Sequence, residues 1–203
     1  MAEIKALFWD VGGVLLTNGW DRHSRQRAAK KFNLDWEDYE DRHELVVGRF
    51  ETGRLSLDRY LERTIFYRER DFSKDQFREY MFAQSKPIDG TLEVVDRLAR
   101  SGRYLLGTLN NESRELNLYR IEKFGLRKYF SVFMSSSFLG VKKPEDEMFR
   151  LALDLSQLAP EKCIFVDDRQ LNLECAERSG LQTLHFKDAA QLDRDLHQAG
   201  LEF

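Results

Sequence analysis

The stretch Lys5-Ala-Leu-Phe-Trp9 continues without a break into Asp10-Val11-Gly12-Gly13-Val14-Leu15-Leu16. The first part has the length and apolar content of a buried strand, Ile4–Trp9. A carboxylate follows the strand, and two glycines follow the carboxylate. Doubly wound sheets bind their ligands just beyond the carboxyl ends of their strands. Glycines at that point let backbone approach a bound group closely. Read alone, Asp10 could equally cap a turn.

Four further strands are predicted downstream, at Arg103–Leu109, Ser131–Met134, Lys162–Val166 and Leu181–Phe186. Helical patterns separate them. Leu92, Val95, Leu98 and Ala99 share one face before a stop at Gly102. Leu116, Tyr119 and Phe124 mark a second helix, and a third starts near Pro144 and carries Met148, Phe149, Leu151, Ala152 and Leu155. Two more cover Leu171–Arg178 and Ala189–Ala199. Alternating strands and helices predict an α/β fold: a doubly wound parallel-sheet, Rossmann-like core.

Residues 18–85 break the alternation. They hold no strand pattern but four amphipathic helices, at Arg22–Phe32, Trp36–Val47, Leu57–Phe66 and Ser73–Gln84. Ser56 and Ser73 are the expected N-caps, and Gly48 and Gly53 the expected break. The expectation is therefore a core of residues 1–17 and 86–203 with a small helical bundle, residues 18–85, inserted after the first strand.

Composition narrows the function classes. The 203 residues are 42% hydrophobic, enough for a sizeable core, and their net charge of −3 is no basic excess for nucleic acid. No run approaches the roughly 18 apolar residues of a membrane span. The segment Ile4–Leu16 is interrupted by Lys5 and Asp10 and lacks the form of a signal peptide. Cys163 and Cys175 show no metal-ligand spacing and are expected to be reduced. A cytoplasmic protein without nucleic-acid or membrane partners is expected.

Two other segments carry chemistry. Cys163-Ile-Phe-Val-Asp167-Asp168-Arg-Gln-Leu-Asn172 ends a strand in adjacent acids, which repel unless a cation neutralises them. An all-oxygen donor set selects a hard metal ion, foremost Mg²⁺. Gly140-Val-Lys-Lys143-Pro144-Glu145 places lysines before a helix, and lysine is a mobile point charge suited to phosphate. By itself either segment could be an ordinary solvated surface.

Taken with Asp10, the three segments resemble, in order and spacing, the haloacid dehalogenase-like hydrolases, mostly phosphatases with an aspartate nucleophile. The resemblance covers essentially the whole chain. It rests on Asp10 at the first motif, Lys143-Pro144 at the third, and Asp167-Asp168 with Asn172, Ala176 and Gly180 at the fourth. The helical insert matches the subgroup with a small helical cap. The resemblance implies Mg²⁺-dependent hydrolysis of small phosphorylated metabolites through an aspartyl-phosphate. Asp10 and Lys143 would be catalytic. Asp10, the Gly12 carbonyl, Asp167 and Asp168 would form the metal site, with Asp167 the direct ligand and Asp168 acting through water or orienting Lys143. Asn110, Asn111, Gly12 and Gly13 would hold the phosphate.

Two departures stand out. The second motif is normally Ser or Thr, but the sequence reads Gly107-Thr108-Leu109-Asn110-Asn111. Aligning the strand end puts Asn110 at that position, with Thr108 as the alternative. Family phosphatases also carry an acid/base Asp two residues after the nucleophile, where this chain has Gly12; such a group is worth on the order of 10²–10⁴ in rate. Two alternatives account for the loss: a 2-haloacid dehalogenase, whose halide leaves unprotonated, and a catalytically silent phosphometabolite-binding protein. Trp20, Arg22, Arg49 and Tyr60 could line the cleft, although packing aromatics and solvated arginines explain them more simply.

Overall fold

The computed structural model describes residues 3–203. Five strands, β1 (Ala6–Trp9), β2 (Leu105–Asn110), β3 (Val132–Ser135), β4 (Cys163–Asp167) and β5 (Gln182–His185), form one sheet. They pair in parallel in the order β3-β2-β1-β4-β5. The chain winds from β1 out to β3, then crosses back to β4. The order therefore reverses beside β1, where a doubly wound sheet opens a crevice. Each predicted strand is present, its ends displaced by at most two residues.

Side-chain alternation distributes β1 between two cores. Leu7 and Trp9 face α5 (Thr91–Ser101) and α10 (Ala189–Gln198), packing with Val95, Leu98, Leu192 and Leu196. Ala6 and Phe8 face α8 (Asp146–Ser156) and α9 (Gln170–Arg178), packing with Met148, Phe149, Leu173 and Ala176. All four β1 residues are buried, as a central parallel strand covered on both faces requires. Pro144, expected to open α8, lies two residues before it. Asn111 explains the delay: its side chain both accepts from the Lys143 amide and donates to the Lys143 carbonyl, holding that segment in a loop.

Between β1 and α5 lie α1 (Arg22–Lys31), α2 (Trp36–Glu51), α3 (Leu57–Thr64) and α4 (Lys74–Phe82), around an apolar cluster of their own centred on Trp20, Tyr39, Phe50, Tyr60 and Phe77. Ser56 and Ser73 cap α3 and α4 as expected, and Ser73 forms a reciprocal capping box with Gln76. Helix α2 runs past the expected break at Gly48. A glycine in a helix costs about 1 kcal/mol, but continuing the helix buries Phe50 against the Tyr60 ring, stacked at 4.2 Å. The turn comes at Gly53, where φ is +72°.

The two crossings between sheet and insert lie side by side. The Thr17 amide donates to the Lys86 carbonyl and the Ile88 amide to the Leu15 carbonyl. Farther out, the end of α2 docks on the body below it: Glu51 pairs with Lys142 at 3.0 Å, and its carbonyl accepts from Ser136 Oγ at the start of the short α7 (Ser136–Leu139). Among the described residues, no helix is long and apolar enough to cross a membrane.

Candidate functional site

Asp10 sits immediately after β1, and its amide donates to the Val166 carbonyl of the neighbouring β4. That pairing brings the ends of the two central strands together, so Asp10 and the Asp167-Asp168 pair converge at the point of reversal. Carboxylate oxygens of Asp10, Asp167 and Asp168 all lie within 4.8 Å of one another. Lys143 enters from the loop before α8. Its ammonium lies 2.6 Å from Asp167 Oδ2 and 3.1 Å from Asp10 Oδ1, and its side chain is almost completely buried. Two carboxylates thus flank one ammonium in a poorly solvated place, with a third carboxylate beside them. Burial pushes the Asp10 carboxyl up to about 7; Lys143 opposes the shift, and the neighbouring acids add to it. Burial and the adjacent Asp167 charge likewise raise Asp168.

The two adjacent acids stand differently toward Lys143. Asp167 is fully buried and saturated: Lys143 and both-oxygen contacts from Asn172 occupy it, together with the Arg169 amide. It is the acid that holds Lys143. Asp168 is only half-buried, and its Oδ1 lies out of solvent without a hydrogen-bond partner. Its carboxylate packs flat against Gly13, where any Cβ would overlap it and φ is +85°. Gly13 therefore makes room for Asp168 instead of lining the cleft, as its expected phosphate-binding place required. An unpartnered buried carboxylate oxygen beside two other carboxylates fits a small hard cation.

Asn110 does not reach the cleft either. In the register of β1 and β2, Thr108 pairs with Trp9, and alternation sends Thr108 and Asn110 to the same face. Leu109 takes the opposite face, with Phe8. Asn110 is buried and donates to Asn117 Oδ1 on α6 (Arg114–Lys123) at 3.1 Å. The cleft residue is Asn111, whose bonds to the Lys143 backbone were described above.

Above this cluster opens a cleft of about 490 Å³ between sheet end and insert. Asp10, Gly12, Asn111 and Lys143 line its floor, and Trp20, Arg22, Arg25 and His43 line the insert side. Of the aromatic and arginine residues considered from sequence, Trp20 and Arg22 line it. Tyr60 is fully buried behind them, and Arg49 is exposed elsewhere. On the insert side nearly every charge is matched. Arg25 makes a two-pronged pair with Glu40 at 2.9 Å and binds the Trp20 carbonyl. Against the burial that raises it, Arg25 holds the Glu40 carboxyl below its ordinary range. Trp20 Nε1 donates to Tyr60 Oη, which lies 2.9 Å from His43 Nδ1. Burial, reinforced by Arg25, lowers His43 to about 3, so its ring is neutral.

Sequence reasoning missed His43, Glu112 and Arg120. Arg120 is almost fully buried on α6 and binds both crossings, Thr17 carbonyl and Ser85 Oγ, as well as Glu112. A signal existed: Arg120 falls with Leu116, Asn117 and Ile121 on the buried stripe of its helix, and His43 falls with Tyr39, Val46 and Phe50 on that of α2. A charged or polar residue on an apolar stripe needs a partner, and so marks a built contact.

A family model for haloacid dehalogenase-like hydrolases matches residues 4–180. Flavin mononucleotide hydrolase 1 of Arabidopsis thaliana is 30% identical over 80% of this chain and 65% of its own length. The chain thus spans just under two thirds of that relative. A phosphorylated carbohydrates phosphatase of Thermotoga maritima is 23% identical over 90% of this chain and 84% of its own. Among solved structures, a HAD family enzyme of Bacteroides thetaiotaomicron superposes with a TM-score of 0.79 at 22% identity, covering 92% and 95% of the two chains. That enzyme has also been crystallised with magnesium and inorganic phosphate. A match over so much of the chain, falling on the same sheet end that gathers Asp10, Lys143 and the paired acids, settles the relationship: this protein belongs to the haloacid dehalogenase-like hydrolases.

Proposed function

We propose that this protein hydrolyses small phosphorylated metabolites, with Asp10 as nucleophile. The observation that carries the reading is the buried cluster at the sheet end: a carboxylate on the cleft floor, 3.1 Å from a lysine that a second carboxylate fixes in place. Asp10 attacks the phosphorus and the leaving alcohol departs, which forms an aspartyl-phosphate that water then cleaves. Lys143 sits where the phosphoryl charge collects, and most of the catalysis of phosphoryl transfer is such neutralisation and positioning. Asp167 and Asn172 hold the ammonium in that place, and Asn111 fixes the loop that delivers it.

Asp10, the Gly12 carbonyl and Asp168 are the residues that would hold Mg²⁺, with Asp167 already spent on Lys143. Once bound, the ion offsets the phosphoryl charge that Lys143 alone does not. The four-helix insert serves as the cap over the cleft, and its largely matched charges suit a leaving group that is polar but not strongly ionic. Names of relatives support the substrate class, since flavin mononucleotide and phosphorylated carbohydrates are both phosphomonoesters.

The test is phosphate release from a panel of small phosphorylated metabolites, with and without Mg²⁺. Mg²⁺-dependent release from some of them is the expected result. Halide release from a 2-haloacid in place of phosphate release would overturn the reading, as would binding without any turnover.

A further inference from the structure

The chain lacks the usual carboxylate two residues beyond Asp10, and the cleft shows what stands near the gap. A Cβ built at Gly12 would lie 3.6 Å from Arg120 Nη1, and Arg120 Nη1 lies 3.1 Å from Glu112 Oε2. Glu112 follows Asn111 in the loop after β2, is itself buried, and lines the cleft. The other carboxylates that line it are occupied or remote. Asp10 is the nucleophile, Asp21 caps α1 by accepting from Ser24, Glu51 is tied to Lys142, and Glu44 stands exposed on α2.

We infer that Glu112 supplies the proton transfers that the missing side chain at Gly12 cannot; this rests on the phosphatase reading above. Protonated Glu112 gives its proton to the leaving oxygen as the phosphorus–oxygen bond breaks and the bond to Asp10 forms. The products of this step are a neutral alcohol, the aspartyl-phosphate and the Glu112 carboxylate. The carboxylate then takes a proton from water as the water oxygen bonds to phosphorus. Asp10 leaves as a carboxylate, hydrogen phosphate is released, and Glu112 is protonated again.

The surroundings suit a group that alternates between the two states. Burial and the Glu51 charge favour the acid, while Arg120 and the Ser113 amide and hydroxyl favour the carboxylate. Oε1 accepts from Ser113, whereas Oε2 has Arg120 as its protein partner and faces the crossing at Gly19. Arg120 keeps its grip on Thr17 and Ser85 whichever state Glu112 is in, so the linkers need not move with each proton.

The experiment compares Glu112→Gln with the unmutated protein on p-nitrophenyl phosphate and on a simple alkyl phosphate, both with Mg²⁺. The first leaving group departs with little protonation, and the second needs it. The expected result is a loss of about 10²–10⁴ in kcat/KM for the alkyl phosphate with less than tenfold for p-nitrophenyl phosphate. A double variant, Gly12→Asp with Glu112→Gln, should restore part of the alkyl phosphate rate, since it returns a carboxylate beside Arg120. Equal losses on both substrates, or an unchanged alkyl phosphate rate, would overturn the assignment. If the unmutated protein releases phosphate from neither substrate nor from any member of the panel, the phosphatase reading itself has failed.

Discussion

The floor and the insert wall of the cleft are built on opposite electrostatic plans. At the sheet end, three carboxylates crowd together and two of them flank one ammonium, one carboxylate oxygen has no partner, and Asp10 is pushed up to about 7. On the insert side, Arg25 and Glu40 satisfy one another, and Trp20, Tyr60 and His43 form a neutral hydrogen-bonded chain. The floor is left incomplete in a way that a cation and a phosphoryl group would complete. The wall is already complete. Unfinished electrostatics belong where charge must develop during a reaction, and finished electrostatics where a shape must be held.

The sharpest way to break this contrast is to remove the proposed nucleophile. Asp10→Asn should lower kcat by on the order of 10⁴ or more, because it removes the carboxylate that is proposed to take the phosphoryl group. The fold should persist, since the amide keeps the size of the carboxyl and can still accept from the Val11 amide. Phosphate release and a thermal unfolding scan check both halves. Substantial residual turnover, with the amide shown by mass spectrometry to be intact, would remove Asp10 from its role.

The different standing of Asp167 and Asp168 toward Lys143 gives the next test. Asp168→Asn should raise the Mg²⁺ concentration for half-maximal activity by about 10–100-fold, with little change in stability. Asp167→Asn should instead loosen Lys143, destabilising the protein by about 1.5–3 kcal/mol, the value of a hydrogen bond to a charged group, since Asp10 still faces the ammonium. Titration calorimetry with Mg²⁺ separates the two without relying on turnover. If Asp167→Asn weakens Mg²⁺ binding and Asp168→Asn does not, the acids hold the roles first expected of them.

The insert wall invites the converse experiment. Arg25→Met strands Glu40 in a buried place, a loss of about 3–5 kcal/mol of stability where the pair is fully enclosed. Glu40 retains some exposure and a longer contact from Arg22 at 3.4 Å, which puts the effect at the lower end. At a temperature where the variant is still folded, kcat on p-nitrophenyl phosphate should change less than about threefold, since Arg25 neutralises no phosphoryl charge. A collapse in kcat with unchanged stability would mean that the wall takes part in the chemistry.

Most of the fold was legible because a parallel α/β sheet writes itself locally: short apolar runs, each followed by a helix pattern with a visible stop. What was not legible depended on register and on pairing at a distance. Asn110 and Asn111 are adjacent and chemically identical, yet one faces Asn117 and the other Lys143. Only the alignment of Thr108 with Trp9 decides which is which. Asp167 and Asp168 posed the same problem, resolved by where Lys143 and Asn172 arrive. Helix α2 was predicted to end near Gly48 because the burial of Phe50, which outweighs a glycine, comes from α3. Arg120 and Glu112 could not be paired from sequence at all, although Arg120 falls on the buried stripe of its helix.

The smallest effect concerns His43 and the acid side of the stability profile. Its ring is held neutral in the fold, at about 3, against an ordinary value near 6.5 in the unfolded chain. The sign follows from proton uptake: between those values the unfolded chain binds a proton that the folded one refuses. The contribution is therefore complete above about pH 6.5 and is lost as the pH falls towards 3. At pH 5 the loss from this group amounts to about 2 kcal/mol. His43→Asn keeps an acceptor for Tyr60 close to the position of Nδ1 but cannot take up the proton. The variant should consequently lose less stability than the unmutated protein between pH 7 and pH 5, by about 2 kcal/mol in urea unfolding. Equal losses would mean that His43 is protonated in the folded protein. The wall would then carry a positive charge beside Arg25, and its neutrality, the basis of the contrast with the floor, would not hold.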